Sequence, residues 1–142
     1  MNSRERFEEI RYQVQAIAKA EAELAAIRKT CEVKTQRYTA SVQGGSHDHM
    51  AKVDAIIEKE KALDLARAKA NHEIDAALEI LYGSDGRGGV ARDKGSAYAD
   101  AVCSVYLMGN THKETADELG CTRSWVTNLC TATFRHIDRR MR

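Results

Sequence analysis

Hydroxyl, amide and guanidinium side chains are concentrated on one side of a helical pattern near the C-terminal end of the chain. At 100° per residue the pattern has a buried edge, formed by Val126, Leu129, Thr133 and Ile137. The opposite side presents Ser124, Thr127, Asn128, Thr131, Arg135 and Arg139, with Arg123 and Trp125 on its flanks. Amides pair with adenine, guanidinium groups with guanine, and hydroxyls with phosphates. The spacing therefore predicts a helix over 123–139 that reads the major groove of double-stranded DNA.

A short helix and a turn precede this pattern and must position it. Thr111 is expected to be an N-cap, with Glu114 three residues later completing a capping box. Gly120 supplies a turn in which a positive φ costs little, and Thr122 caps the next helix as a further member of the predicted interface. Two helices joined by a three-residue turn have the arrangement of a helix-turn-helix.

The run VYLMGNTHKETADELGCTRSWVTNL, residues 105–129, resembles the promoter −35-binding fourth region of bacterial sigma factors. It is more similar still to small phage-encoded proteins that carry this sigma-like helix-turn-helix behind a long N-terminal helical hairpin. The matching positions are Tyr106, Leu107, Gly109, Thr111, Glu114, Ala116, Gly120, Thr122, Trp125, Val126 and Leu129. His112 replaces an aromatic residue of that pattern and Thr115 an apolar one, which weakens the expected small core. The resemblance implies a DNA-binding regulator of phage or prophage type.

The first 82 residues carry two long amphipathic patterns. One stripe is Phe7, Ile10, Val14, Ile17, Leu24, Cys31, Tyr38 and Val42; the other is Met50, Val53, Ile57, Leu63, Ala66, Ala70, Ile74, Ala77 and Leu81. Between them, Gly44 and Gly45 should end the first helix, and Ser46 or Asp48 should cap the second. We predict an antiparallel hairpin. Its seam is interrupted by Glu21, Arg28 and Glu60, so another copy or the C-terminal domain is expected to pack on it.

The stretch YGSDGRGG, residues 82–89, is rich in glycine and indicates a domain boundary. The chain has no Pro and only nine Gly, so we predict an all-α protein. Its parts are a hairpin over 1–82, a linker over 83–95 and a helix-turn-helix domain over 96–142. A phosphate-binding loop is the alternative for the glycines, but no strand precedes them and no G-K-[ST] follows. The helix after the linker should turn Tyr98, Val102, and Val105 or Tyr106 inward.

The distribution of charge favours an anionic partner at the C-terminal end, and the cysteine spacing argues against a zinc finger. The chain carries a net charge of +1, but residues 122–142 hold five Arg and one acidic residue, Asp138. Cys103, His112, Cys121 and Cys130 are nine residues apart, whereas zinc fingers pair ligands two to five residues apart. We expect free thiols, no cofactor, no catalytic centre, no membrane-spanning segment and a cytoplasmic location.

The expected partners are double-stranded DNA and a second copy of the chain. A single helix-turn-helix touches few bases, so useful affinity usually requires two copies; we favour a dimer formed through the N-terminal hairpin. Contact with RNA polymerase is a further expectation. Two alternatives stay open: an assembly or DNA-packaging adaptor, such as a small terminase-like ring, and a protein-binding module that docks on RNA polymerase without contacting DNA.

Overall fold

The computed structural model describes residues 2–38 and 46–141. These ranges contain helices and no strand, which confirms the all-α prediction. The helices are α1 (Ser3–Tyr38), α2 (Ser46–Tyr82), α3 (Gly89–Asp93), α4 (Ser96–Val102), α5 (His112–Leu119) and α6 (Arg123–Arg140); a π-helical turn, Cys103–Leu107, continues α4. Across the described ranges, no helix combines the length and the apolar character that crossing a membrane would require. The glycines predicted to end α1, Gly44 and Gly45, lie outside the described residues.

By contacts the chain divides into two units, and the division differs from the linear one expected from the sequence. One unit comprises residues 1–15 together with 70–142, and the other comprises residues 16–69. The first turns of α1 and the last turns of α2 join α3–α6 because their apolar side chains enter the same core. Phe7, Ile10, Ala77 and Leu81 are all buried there. The C-terminal unit therefore includes parts of both long helices.

In the unit of residues 16–69, the two helical segments run antiparallel. Arg67 donates to Glu21 at 2.6 Å, and Arg28 forms an ion pair with Glu60, so a later position in α1 meets an earlier one in α2. The polar residues that interrupt the predicted seam are thus cross-helix ion-pair partners. Among residues 16–30 and 50–69, the buried apolar side chains are Leu24 and Leu63.

The core of the other unit is centred on three aromatic rings from three distant parts of the sequence. The rings of Phe7 and Phe134 are 5.5 Å apart between centroids, and those of Tyr106 and Phe134 are 5.1 Å apart. Around them, Leu81, Val102 and other aliphatic side chains are excluded from solvent. Tyr98, predicted to point inward, is half-buried, whereas Val102, Val105 and Tyr106 are buried. Burial of such side chains stabilises the fold by roughly 1.5–3 kcal/mol each.

Residues 83–95, expected to be a linker, form a tight turn and α3. Val90 of α3 is buried in the core. Gly89 has a φ of +65°, and a Cβ atom there would lie 2.5 Å from the carbonyl oxygen of Ile80. Glycine is required because the chain turns back closely against the end of α2. The glycines of this segment therefore serve a close backbone approach as well as conformational freedom.

Candidate nucleic-acid interface

The starts of α5 and α6 have the capping interactions that their residue types predict. The Thr111 hydroxyl accepts a hydrogen bond from the Glu114 N–H at 3.1 Å and donates to the Glu114 carboxylate at 3.2 Å. Gly120 ends α5 in the left-handed region, with φ 67° and ψ 38°. The Thr122 hydroxyl then accepts from the Trp125 N–H at 3.1 Å and caps α6. Each cap satisfies a backbone donor that the first turn of a helix leaves free.

Four side chains predicted to form the inner edge of α6 are buried: Val126, Leu129, Thr133 and Ile137. The Thr133 hydroxyl donates to the Leu129 carbonyl oxygen at 2.7 Å, so this polar group is satisfied inside the core. Cys130 and Phe134 are buried as well. The buried side of α6 is therefore wider than the predicted edge and leaves less of the helix surface open.

The predicted interface residues are placed on the exposed side of α6 or at its start. Exposed members are Thr122, Arg123, Ser124, Trp125, Thr127, Asn128, Arg135 and Arg139. The Trp125 indole retains 51% of its accessible surface, which is unusual for so large an apolar side chain. Thr131 is half-buried and differs from the others. The exposed side of α6 hence presents an amide, hydroxyls, an indole and three guanidinium groups.

Thr131 is half-buried because α1 reaches it. Arg4, in the first turn of α1, donates from Nη2 to the Thr131 hydroxyl at 3.0 Å. Its guanidinium carbon also lies 5.3 Å from the centre of the Phe134 ring, within the range of a cation–π contact. Arg4 is itself exposed. It adds a cation to this surface that the local pattern around α6 gave no means of finding, since 127 positions separate it from Thr131.

Ser3 fixes the first turn of α1 on α6. Its N–H donates to Asp138 Oδ1 at 2.9 Å, and its buried hydroxyl donates to the carbonyl oxygen of Phe134 at 3.2 Å. Asp138 therefore acts as an N-terminal partner for α1, where the helix dipole favours a negative charge. This arrangement holds Arg4 beside the middle of α6.

At its C-terminal end, α6 forms ionic contacts with α3. Arg140 pairs with Asp93, and His136 Nε2 lies 3.2 Å from the same carboxylate. Asp93 thus offsets part of the positive charge of this end.

The helix α5 is held in place by a buried polar network that involves one departure from the sigma-like pattern. Thr115 is fully buried, and its hydroxyl donates to the Thr111 carbonyl oxygen at 3.0 Å. Ser104, also buried, lies with its hydroxyl 2.8 Å from that of Thr115. A hydroxyl therefore replaces the expected apolar group without being left unsatisfied. His112, the other departure, is half-buried and lines an open cleft with residues of α1 such as Arg11 and Tyr12.

Three of the cysteines are described as free thiols: Cys103, Cys121 and Cys130. Burial raises the pKa of Cys130 to about 11 and also raises the pKa of Cys103 above its ordinary value. Raised values favour the neutral thiol over the thiolate that acts as nucleophile or metal ligand. Among the described residues, no group of three or more His, Cys, Asp or Glu side chains is arranged to hold a metal ion.

No family model, curated protein or solved structure matches the chain.

Proposed function

We propose that this chain is a sequence-specific, double-stranded DNA-binding transcription regulator of phage or prophage type, which reads the major groove with α6. The observation that carries the proposal is that α6 is amphipathic. Its aliphatic edge is buried, and its amide, hydroxyl and guanidinium side chains are exposed next to a capped helix-turn-helix turn. A helix with these properties has the size and the donor and acceptor groups that the major groove accommodates.

Within this proposal the exposed residues divide into two roles. Asn128 reads sequence, because an amide forms paired hydrogen bonds with adenine. Arg135 and Arg139 hold the protein on the duplex through phosphates, together with Thr122 and Arg123 at the start of α6, where free N–H groups favour anions. Trp125 contacts the backbone through its exposed indole. Base contacts then supply specificity and phosphate contacts supply most of the affinity.

Two copies of the chain are part of the proposal. One helix-turn-helix contacts few base pairs, and a dimer that spans two half-sites gains affinity through effective concentration. The unit of residues 16–69 exposes Leu65 and Ile57, which supports pairing of this unit with a second copy. A protein that exposes apolar side chains on long helices commonly covers them in an oligomer.

Mobility-shift titrations at low salt with randomised and selected duplexes test the groove assignment. We expect Asn128→Ala to relax sequence preference while keeping affinity for unrelated duplexes. Arg135→Ala should weaken binding to all duplexes. It should also make the slope of log K against log salt shallower by the amount that about one phosphate contact contributes. Arg92→Ala, a matched removal of an exposed charge from α3, should change neither property. Equal binding by wild type and both α6 variants would show the groove assignment to be wrong.

The rival with an observation in its favour is a protein-binding module that docks on RNA polymerase, because the exposed indole of Trp125 suits a protein partner. Light scattering combined with the DNA titration separates the candidates. Two copies with DNA binding support the regulator. One copy without DNA binding supports the module, and eight or more copies support a packaging adaptor.

A further inference from the structure

We propose that Arg4 is a phosphate-contacting residue of the DNA interface, supplied by the first turn of α1. The inference rests on the proposed function, since it requires α6 to lie in a groove. It extends the interface from a single helix to a surface built by the two ends of the chain. The ligand chemistry is the phosphate backbone of double-stranded DNA, which carries no sequence information by itself.

The position of Arg4 is fixed by contacts that leave most of its donors available. A guanidinium group has five N–H donors. One N–H of Nη2 donates to the Thr131 hydroxyl. The guanidinium plane lies over the Phe134 ring. Since the side chain is exposed, the remaining donors face solvent. An arginine held in this way loses less rotamer freedom on binding than a free surface arginine.

The location favours phosphate over a base edge. Besides its hydrogen bond to Thr131, Arg4 lies over Phe134, which is buried at the side of α6 that α1 covers. Arg4 therefore stands beside α6 rather than on the centre of its exposed side. When a helix enters the major groove, the groups beside it face the sugar-phosphate strands that border the groove.

The same packing restricts which part of α6 enters the groove. Ser3 binds the Phe134 carbonyl oxygen and Asp138, so α1 covers one flank of the C-terminal half of α6. Among the described residues, the first turn of α1 makes its hydrogen bonds to α6 at Thr131, Phe134 and Asp138, and not to the half that precedes Thr131. We therefore infer that the first turns of α6, with Ser124 and Asn128, enter most deeply while Arg4 meets the bordering strand.

Substitution of Arg4 in the full chain tests this inference. Arg4→Gln should weaken binding to specific and unrelated duplexes alike by roughly tenfold. The slope of log K against log salt should become shallower by about 0.9. Arg6→Gln is the matched control, because it removes the same charge from an exposed side chain in the same helix, and it should leave both quantities unchanged. Arg4→Lys should keep the wild-type slope.

The outcomes separate this inference from the proposed function. If wild type binds DNA and Arg4→Gln behaves like Arg6→Gln, the Arg4 assignment is overturned and the proposed function stands. If wild type fails to bind any duplex at low salt, both are overturned. A purely structural role of Arg4 would lower the thermal midpoint and the active fraction while leaving the salt slope at its wild-type value, which also overturns the assignment.

Discussion

The hydroxyl oxygens of Ser104 and Thr115 lie 2.8 Å apart in the core beneath α5. Each hydroxyl has one proton to donate, and the Ser104 hydroxyl also lies 3.5 Å from Glu118 Oε2. Asn110 Nδ2 donates to Ser104, the Ser104 and Thr115 hydroxyls share a hydrogen bond, and Thr115 lies within donating distance of the carbonyl oxygen of Thr111. The residue that caps α5 is therefore linked to the π-helical turn through buried side chains.

A double-mutant cycle at this pair is predicted to show strong coupling. Thr115→Val removes the buried hydrogen-bond partner of the Ser104 hydroxyl and should lower the free energy of unfolding by about 1–3 kcal/mol. Ser104→Ala should be similarly destabilising. The double variant should cost less than the two single changes added together, because neither hydroxyl is left unsatisfied. Urea denaturation measures all four proteins, and strictly additive losses would contradict the network.

Leu63→Ala is predicted to loosen the unit of residues 16–69. Leu63 is buried, so truncation should cost about 2–4 kcal/mol of local stability. Leu65→Ala is the control, since that side chain is 74% exposed and its loss should be nearly neutral. Amide hydrogen exchange resolved by peptide is the measurement. Equal protection in the two variants over residues 16–30 would show that Leu63 does not hold this unit together.

The protein is predicted to lose stability as the pH rises from about 9 to about 11. Burial raises the pKa of Cys130 from its ordinary 9.0 to about 11, so the unfolded chain releases this proton at a lower pH than the folded chain. The folded state then binds more protons, and its stability is full below pH 9 and declines above it, by on the order of 2 kcal/mol.

Cys130→Ala should show a smaller loss over the same pH interval, despite a lower stability at pH 7 from the cavity. Burial also raises the pKa of Tyr106, so part of the decline should persist in this variant. Denaturant midpoints at pH 7, 9 and 10.5 provide the comparison. Parallel curves for wild type and variant would exclude a contribution from this thiol.

Trp125 is predicted to report on DNA binding directly. It is the single tryptophan of the chain and is half-exposed on the proposed interface. Acrylamide should quench its fluorescence efficiently in the free protein, and duplex DNA should reduce the quenching constant by roughly twofold through shielding of the indole. A saturating duplex that leaves quenching unchanged would place Trp125 outside the DNA interface, and quenching that falls on addition of RNA polymerase instead would favour a protein partner.

Sequence reasoning succeeded where the signal was local. The caps at Thr111 and Thr122 and the left-handed turn at Gly120 each depend on residues within three or four positions. The buried edge of α6 followed from helical periodicity. These features are set by backbone hydrogen bonding and by side-chain spacing, which a single sequence displays.

The features that sequence reasoning missed depend on packing between distant segments. Nothing near Arg4 shows that it meets Thr131, and nothing near Phe7 shows that it stacks with Phe134. The glycines of 83–95 indicate a flexible boundary by composition, but at Gly89 the lack of a side chain permits close packing against Ile80. Composition alone does not distinguish a glycine that provides mobility from one that provides space.

The aromatic contact between Phe7 and Phe134 also bears on how such a gene could be rearranged. A recombination event that transferred only the codons for residues 83–142 would separate Phe134 from Phe7, Ile10 and Leu81, which belong to the same core. The recipient would acquire α3–α6 with an uncovered hydrophobic surface. Inheritance of a working module would instead require both gene segments that encode this core.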